Sequence, residues 1–342
     1  MSSDVAVDKR DTRILFVHPT SAAFIQADLS LLRKHYNVRV LDIGSRKRNL
    51  RGVLGAVCSM ARGVLWADLT FCWFADRHAE WMVRISRMLG RPSIVVVGGY
   101  EVAKVPEIGH GSLLDPKKAK MVRYILRRAT KVLPVDESLR EDAMKNLGID
   151  GKNFQTVHTG HDSEKFKPSG RKENTVLTVG FVDKVTIRRK GLDVFVKAAG
   201  YLKDVKFVLV GNSSDNTMDA LRRMAPSNVE FAGFVPHDQL AGYYQRAKVY
   251  CQLSMFEGLP NALCEAMLCE CVPVGTKVSG IPTAIGDTGF YAPVGDPKGA
   301  ADAIKQALVS NKGRDARARI ISEFSVEKRE KALIDIVRRQ LG

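Results

Sequence analysis

The stretch FEGLPNALCE, residues 256–265, carries two carboxylates, Glu257 and Glu265, eight positions apart. Gly258 and Pro260 predict a turn, and the residues from about Asn261 predict a helix that holds Glu265 in its second turn. Carboxylates accept hydrogen bonds from sugar or ribose hydroxyls. A helix N-terminus beside a glycine admits a close anion such as a pyrophosphate. The pattern therefore indicates a ligand with hydroxyls and phosphates, and the alternative is a loop carboxylate plus a glutamate favoured by the helix dipole.

Strands that alternate with helices must position these residues. Apolar strand patterns lie at 13–19, 38–44, 69–74, 93–99 and 131–135, and the alternation restarts with strands at 175–182, 206–211, 229–235, 249–254 and 272–276. Such alternation predicts parallel sheets covered by helices. Because the pattern begins twice, we expect an α/β fold with two doubly wound, Rossmann-like domains facing across a cleft. The polar segment 158–174 is the predicted linker.

Length and composition indicate a two-domain globular protein. The chain has 342 residues, 45% of them hydrophobic and 26% charged, and it contains no long apolar run and no signal-peptide pattern at its N-terminus. The six cysteines have apolar neighbours and no metal-ligand spacing, which argues against a zinc site and indicates a reducing, cytoplasmic environment.

The positive charge is concentrated in the first part of the chain. Residues 1–131 hold 23 lysines and arginines against 11 aspartates and glutamates, out of a net charge of +16. Such a field attracts phosphates on nucleic acids, membranes or substrates. The basic segments lack interleaved aromatic residues and a known recognition motif, which argues against nucleic acid.

The E-x₇-E pair, together with the following AMLCECVPVGTKVSGIPTAIGDTGFYAPVGDP, resembles glycosyltransferase family 4. The segments LTVGFV…RRKGLDVFVKAAGYL and VEFAGFVPHDQLAGYYQRAKVYCQLS also resemble that family, and the resemblance covers about residues 125–340. It implies a retaining, nucleotide-sugar-dependent enzyme of GT-B fold that takes a UDP- or GDP-sugar. It further implies an acceptor-binding domain at 1–167, a donor-binding domain at 168–322, and a C-terminal helix at 323–342 that packs back on the first domain.

The resemblance also implies roles for individual residues. Glu265 would bind the ribose hydroxyls, Glu257 would accept from the donor sugar, and Lys190 would pair with the departing diphosphate. Other donor contacts are implied at the β-strand end, the basic segment, the turn and the base-binding loop: Gly180, Arg189, Gly258, Leu259, Pro260, Asn261, Phe234 and Val235. For Phe234 and Val235, buried packing explains the pattern equally well.

The chain departs from the family pattern at three places. Phe181 stands where an arginine is usual, and Lys184, Arg188 or Arg189 could replace that arginine. HPTSAAF replaces the usual glycine pair after the first strand. Gly98, Gly99, Tyr100 and Glu101 follow the fourth strand where a histidine is usual, which makes Glu101 a candidate polar group near the acceptor and leaves His18 and His110 as possible substitutes.

No D-x-D motif occurs, so we expect no metal cofactor. The alternatives on the same fold are a sugar phosphorylase and a nucleotide-sugar epimerase; a phosphorylase would need pyridoxal phosphate or a phosphate pocket. We also expect a glycan or lipid-linked acceptor and attachment to the inner face of an anionic membrane. Two basic amphipathic segments, 46–66 and 117–131, motivate this, and the alternative is that their apolar stripes pack on the sheet.

Overall fold

A computed structural model of the protein describes residues 12–44 and 50–342, with side chains in the second range from residue 54 onward. The described chain forms two compact units. The first comprises the described residues up to 104, residues 111–160 and residues 327–342, and the second comprises residues 105–110 and 161–326. The chain passes from one unit to the other at residues 160 and 161, within the predicted linker.

The first unit is built on a five-stranded parallel sheet. Its strands are β1 (Arg13–His18), β2 (Asn37–Asp42), β3 (Leu69–Trp73), β4 (Ser93–Val97) and β5 (Lys131–Pro134), in the order β2-β1-β3-β4-β5. Its helices are α1 (Ala23–His35), α2 (Leu50–Trp66), α3 (Arg77–Met88), α4 (Pro116–Arg128) and α5 (Glu137–Leu147). Every residue of β3 and β4 is buried, as expected for central parallel strands covered on both faces.

Helix α4 coincides with the predicted basic segment 117–131. Its apolar stripe is part of the core, because Val122, Ile125 and Leu126 are fully buried. The interpretation that this stripe packs on the sheet is therefore correct, and the stripe is not a membrane face. The basic side chains of α4 are exposed instead: Lys117, Lys118, Lys120, Arg123, Arg127 and Arg128.

Helix α2 covers most of the other predicted basic segment, of which residues 46–49 and the side chain of Val53 lie outside the described residues. Met60 and Val64 are buried. Leu54 and Leu65, however, are 56% and 60% exposed. The helix therefore buries one apolar side and leaves two leucines at the surface.

The second unit contains a six-stranded parallel sheet. Its strands are β6 (Glu173–Val179), β7 (Lys206–Val210), β8 (Val229–Gly233), β9 (Ala247–Gln252), β10 (Val272–Thr276) and β11 (Phe290–Ala292), in the order β11-β10-β9-β6-β7-β8. Its helices are α6 (Thr186–Arg189), α7 (Leu192–Ala199), α8 (Thr217–Met224), α9 (Leu240–Arg246), α10 (Asn261–Leu268), α11 (Ile281–Ile285), α12 (Pro297–Val309) and α13 (Gly313–Glu323). The prediction of two doubly wound sheets is confirmed, and only the short edge strand β11 lacked a strand pattern.

The strand order of the second sheet reverses between β6 and β9, which are adjacent although two other strands separate them in sequence. In an open α/β sheet, ligands bind beyond the carboxyl ends of the strands at such a reversal. Residues 180–191 follow β6, and residues 253–260 follow β9. Both predicted ligand-binding segments therefore meet at this switch point.

A C-terminal helix, α14 (Val326–Leu341), completes the first unit. Arg329 on this helix is buried, and its Nη2 and Nε lie 2.7 Å and 2.9 Å from the two carboxylate oxygens of Asp28 on α1. Asp28 also accepts from the indole Nε1 of Trp73 at 3.0 Å. The buried charge of Asp28 is thus matched by a residue near the end of the chain.

Candidate functional site

The loop after β9 holds Glu257 in a set of polar contacts. Gln252 Nε2 donates to Glu257 Oε1 at 3.1 Å, and Ser254 Oγ donates to the same oxygen at 3.0 Å. Thr276 Oγ1 at the end of β10 donates to the backbone oxygen of Ser254 at 2.6 Å, which fixes the loop to the sheet. The Glu257 side chain is 12% exposed.

The basic segment after β6 reaches the same carboxylate. Arg189 Nη1 lies 3.2 Å and Lys190 Nζ lies 3.5 Å from Glu257 Oε1. The backbone of this segment is tied to the loop as well, because Met255 N donates to Arg189 O at 2.7 Å. Among the residues that the structure describes, hydrogen bonds and ion pairs reach Oε1 of Glu257 and none reaches Oε2.

Two glycines allow this close approach. Gly191 has a φ of 63°, and a Cβ built on it would lie 2.1 Å from the backbone oxygen of Leu253. A Cβ on Gly180 would lie 2.8 Å from Cδ of Lys190. Only glycine fits at either position without displacing its neighbour. The lysine stem therefore passes directly over the end of β6.

The charges around Glu257 decide its ionisation. Burial alone would raise the pKa of its carboxyl, but the positive charges of Lys190 and Arg189 and the hydrogen bond from Ser254 outweigh burial and lower the pKa below its ordinary value. Glu257 is therefore ionised at neutral pH. It can accept a hydrogen bond from a hydroxyl at Oε2 while Oε1 holds the two cations.

The turn after Glu257 leads into α10. Gly258 is half-buried, Leu259 and Pro260 are buried, and α10 begins at Asn261 without a side-chain cap. Such a start presents backbone N–H groups that have no helical partner. The predicted turn and helix are therefore present where the sequence placed them.

Glu265 lies in α10 and is already engaged. His237 Nε2 lies 2.8 Å from its Oε1, and Tyr244 Oη donates to its Oε2 at 3.2 Å. The carboxylate is 9% exposed, and Tyr244 is fully buried. A ribose hydroxyl would have to share this carboxylate with His237 and Tyr244.

The residues proposed to line the base differ in exposure. Phe234 directly follows β8 and is 71% exposed, so buried packing does not explain it. Val235 is half-buried. Phe181, at the position where the related enzymes have an arginine, is also exposed. Of the three basic residues that could replace that arginine, Arg189 contacts Glu257, whereas Lys184 and Arg188 are exposed.

Glu101 lies in the first unit, where it serves the backbone. Its carboxylate accepts from the N–H groups of Gly99 at 2.9 Å, Gly98 at 3.2 Å and Ala75 at 3.3 Å. Burial raises its pKa, although these hydrogen bonds act in the opposite direction. Glu101 therefore ties together the chain after β3 and β4, and its predicted role beside an acceptor stays a prediction.

The two histidines considered as substitutes lie in different places. His18 is buried in the first unit, with its Nδ1 2.9 Å from the backbone oxygen of Thr20. His110 belongs to the second unit, and its ring lies 5.7 Å from that of Phe256, next to Glu257. Burial and the charge of Arg189 lower the pKa of His110 to about 4, although Glu257 acts to raise it. His110 is therefore neutral at pH 7.

The low pKa of His110 predicts an acid-dependent loss of stability. An unfolded histidine titrates near pH 6.5, so between pH 6.5 and about 4 the unfolded chain binds a proton that folded His110 does not bind. The free energy of unfolding contributed here is fully present above pH 6.5 and falls as the pH decreases to about 4. His110→Asn should make this decrease shallower in urea titrations at several pH values. An unchanged slope would show that His110 is protonated in the folded protein.

Several residues of the site carried no motif. Gln252 and Ser254 alternate at the polar end of an otherwise apolar strand, and this spacing could have indicated that both face the carboxylate. His237 and Tyr244 lie 28 and 21 residues before Glu265, and no sequence pattern links them to it. Within residues 12–44 and 50–342, no cluster of three or more histidines, cysteines or acidic residues could hold a metal ion. The expectation of metal independence stays a prediction.

Comparison with known proteins agrees with this geometry. Residues 173–310 match the glycosyl transferases group 1 family. The chain is 27% identical over 282 residues to N-acetyl-alpha-D-glucosaminyl L-malate synthase of Bacillus anthracis, a match that covers 76% of this chain and 72% of that protein. It is 22% identical over 197 residues to a phosphatidylinositol N-acetylglucosaminyltransferase polypeptide of Arabidopsis thaliana, which covers 55% of this chain and 44% of that protein. The chain thus spans less than half the length of the Arabidopsis relative.

Solved structures show the same architecture. Anabaena HepE, crystallised with UDP and glucose, superimposes with a TM-score of 0.78 at 15% identity, over 96% of this chain and all of HepE. At that identity the likeness concerns the fold. Residues 173–310 therefore belong to the group 1 glycosyl transferases, and the chain as a whole has the GT-B fold.

Proposed function

We propose that this protein is a retaining glycosyltransferase that moves a sugar from a UDP- or GDP-sugar to a glycan or lipid-linked acceptor. The observation that carries the proposal is the contact of Arg189 and Lys190 with Glu257 at the switch point of the second sheet, with Glu265 one helix turn further along. Two cations suit a diphosphate, and two carboxylates suit the hydroxyls of the sugar and the ribose.

Each group has a distinct part in the proposed reaction. Lys190 and Arg189 would offset the charge of the departing nucleoside diphosphate, a contact that strengthens as the bond breaks. Glu257 would accept from a hydroxyl of the donor sugar through Oε2 and orient the sugar. The acceptor hydroxyl would attack from the side on which the diphosphate leaves, which retains the configuration. The exposed ring of Phe234 offers an apolar face to the base.

The alternatives make different predictions, and the relatives described above, which carry transferase names, give them no support. A panel of nucleotide sugars should raise the melting temperature of the protein and be hydrolysed slowly without added phosphate. A chelator should not abolish this turnover, because Lys190 and Arg189 supply the positive charge. Turnover that requires inorganic phosphate would indicate a phosphorylase instead.

Removing either donor contact should weaken nucleotide binding. Glu265→Ala and Lys190→Ala are each expected to reduce the affinity for the nucleoside diphosphate by about 1–3 kcal/mol, the range for a lost hydrogen bond to a charged group. Calorimetric titration measures this directly. Lys203→Ala is the matched control because Lys203 is an exposed lysine of the same unit, remote in sequence from the loops at the switch point. Unchanged affinity in both variants would remove the donor assignment.

We further propose that the first unit attaches to anionic membranes. Within the described residues no helix is both long enough and apolar enough to span a bilayer. The exposed basic side chains of α4 and the exposed Leu54 and Leu65 of α2 offer charge and apolar contact at the surface. Each basic residue near an anionic surface contributes about 1 kcal/mol. The name of the Arabidopsis relative refers to a phosphatidylinositol substrate, which agrees with a lipid acceptor for this chain.

Vesicle flotation tests this attachment. The protein should float with anionic liposomes, release as salt increases, and stay behind with neutral liposomes, because the charges are exposed and screened by salt. Replacing Leu54 and Leu65 by serine should reduce flotation without changing nucleotide affinity. Indifference to lipid charge would overturn the membrane proposal and leave the transferase proposal intact.

A further inference from the structure

A groove of about 450 Å³ lies between α3 and α4 in the first unit. Its lining includes five basic side chains from the two helices: Arg77, Arg84, Lys117, Lys118 and Lys120. It also includes three acidic ones, Asp76, Glu80 and Asp115. The lining therefore has an excess of positive charge.

The three carboxylates are engaged within the fold. Asp76 accepts from the backbone N–H of Arg77 at 2.7 Å, and Asp115 accepts from that of Lys117 at 2.8 Å, so each caps its helix. Glu80 holds Arg84 at 2.7 Å, and the guanidinium of Arg84 lies 4.1 Å from the ring centre of Tyr124. The acidic groups thus have structural partners, and they account for one of the five cations.

The other four cations have no such partner. Within the described part of the chain, no carboxylate forms an ion pair with Arg77, Lys117, Lys118 or Lys120. Like charges that converge on one groove repel one another unless an anion is present, and lysine and arginine are the side chains that bind phosphate groups. A volume of this size lies within the range of small-molecule sites.

We propose that this groove binds a phosphate or diphosphate group. The group belongs either to a phosphorylated small molecule or to the head group of a lipid, and both present the same oxygen atoms to the four cations. This site goes beyond the proposed transferase function, since its residues belong to the first unit, whereas Lys190, Glu257 and Glu265 belong to the second.

Calorimetric titration with inorganic pyrophosphate tests the site. The variant Lys117→Ala/Lys118→Ala leaves the capping carboxylate of Asp115 and the helical backbone intact, and it should bind pyrophosphate at least about tenfold more weakly at the groove. The control Arg127→Ala/Arg128→Ala removes the same charge from the same helix outside the groove and should retain the wild-type affinity. Both titrations are repeated with Lys190→Ala, so that binding in the second unit is not counted.

The outcomes separate the groove from general electrostatics. Equal weakening in the two double variants, or no pyrophosphate binding beyond that lost with Lys190→Ala, would overturn the proposal. Nucleotide affinity should be unchanged in both double variants, so this proposal and the transferase proposal fail in different measurements.

A second arm identifies the source of the phosphate. Vesicles that contain phosphatidic acid are offered to the same variants, with free pyrophosphate as competitor. Loss of flotation in Lys117→Ala/Lys118→Ala alone, together with competition by pyrophosphate, assigns the groove to a lipid head group. Loss of pyrophosphate binding with wild-type flotation assigns it to a phosphorylated small molecule. Either result supports the phosphate site.

Discussion

Glu257→Ala should lower the rate of sugar transfer by about 10²- to 10³-fold, the range found when one electrostatic contact in an active site is removed. The carboxylate is ionised, nearly buried and held at Oε1 by Arg189 and Lys190, which leaves Oε2 to orient the donor sugar. Loss of this group removes a contact to the sugar that the nucleoside diphosphate alone does not make. Steady-state turnover of the nucleotide sugar measures the effect.

The same substitution should leave the affinity for the nucleoside diphosphate unchanged or make it tighter. Without Glu257, the guanidinium and the ammonium lose their counter-ion, and a diphosphate no longer competes with a carboxylate for them. Calorimetry on Glu257→Ala and Glu257→Gln measures this affinity. Equal losses of turnover and affinity would assign Glu257 to the nucleotide rather than to the sugar.

A matched control exists in the same sheet. Glu230 on β8 also pairs with a lysine, at 2.7 Å from Lys206, but both side chains are about half exposed. Glu230→Ala removes one carboxylate and its ion pair without touching the loops at the switch point. Both turnover and nucleotide affinity should therefore match the wild type.

Arg329→Met should reduce the free energy of unfolding by about 3–5 kcal/mol, because it leaves the buried carboxylate of Asp28 without its counter-ion. The arginine side chain is 1% exposed and that of Asp28 is 4% exposed. Arg329 Nη1 also donates to the backbone oxygen of His158, so further buried acceptors lose a donor. Urea unfolding followed by circular dichroism measures the loss.

The control pair joins the same two helices at the surface. Lys34 on α1 lies 3.3 Å from Glu330 on α14, and its side chain is 56% exposed. Lys34→Ala should change stability by less than about 1 kcal/mol, as is usual for exposed ion pairs. The double variant Asp28→Asn/Arg329→Met should recover part of the loss, since the neutral amide can still accept from Trp73. A loss in Arg329→Met no larger than in Lys34→Ala would contradict the buried-pair argument.

Local patterns in the sequence were sufficient to predict the sheets and the two loops at the switch point. Apolar runs, turn residues and the E-x₇-E spacing all act over a few residues, and the fold of those segments follows from them. The resemblance then supplied roles for Lys190, Glu257 and Glu265. The carboxylate of Glu257 and the two cations are in contact because two adjacent parallel strands end side by side.

Contacts between distant residues could not be predicted in this way. His237 meets Glu265, and residues 105–110 join the second unit, because the tertiary fold brings them there. The apolar stripe of α4 illustrates the same limit, since a helix that covers a sheet and a helix that lies on a membrane have the same periodicity. Burial of Val122, Ile125 and Leu126 decides between them.

The return of α14 to the first unit has a consequence for biosynthesis. Asp28 and Arg329 are 301 residues apart in sequence. At about 5–20 residues per second, the ribosome needs roughly 15–60 s to synthesise the chain between them. During that interval the emerging N-terminal part has a carboxylate in its core region and no arginine to neutralise it. The first unit is therefore expected to complete its folding only after release of the finished chain, when the second unit has already emerged and can fold before it.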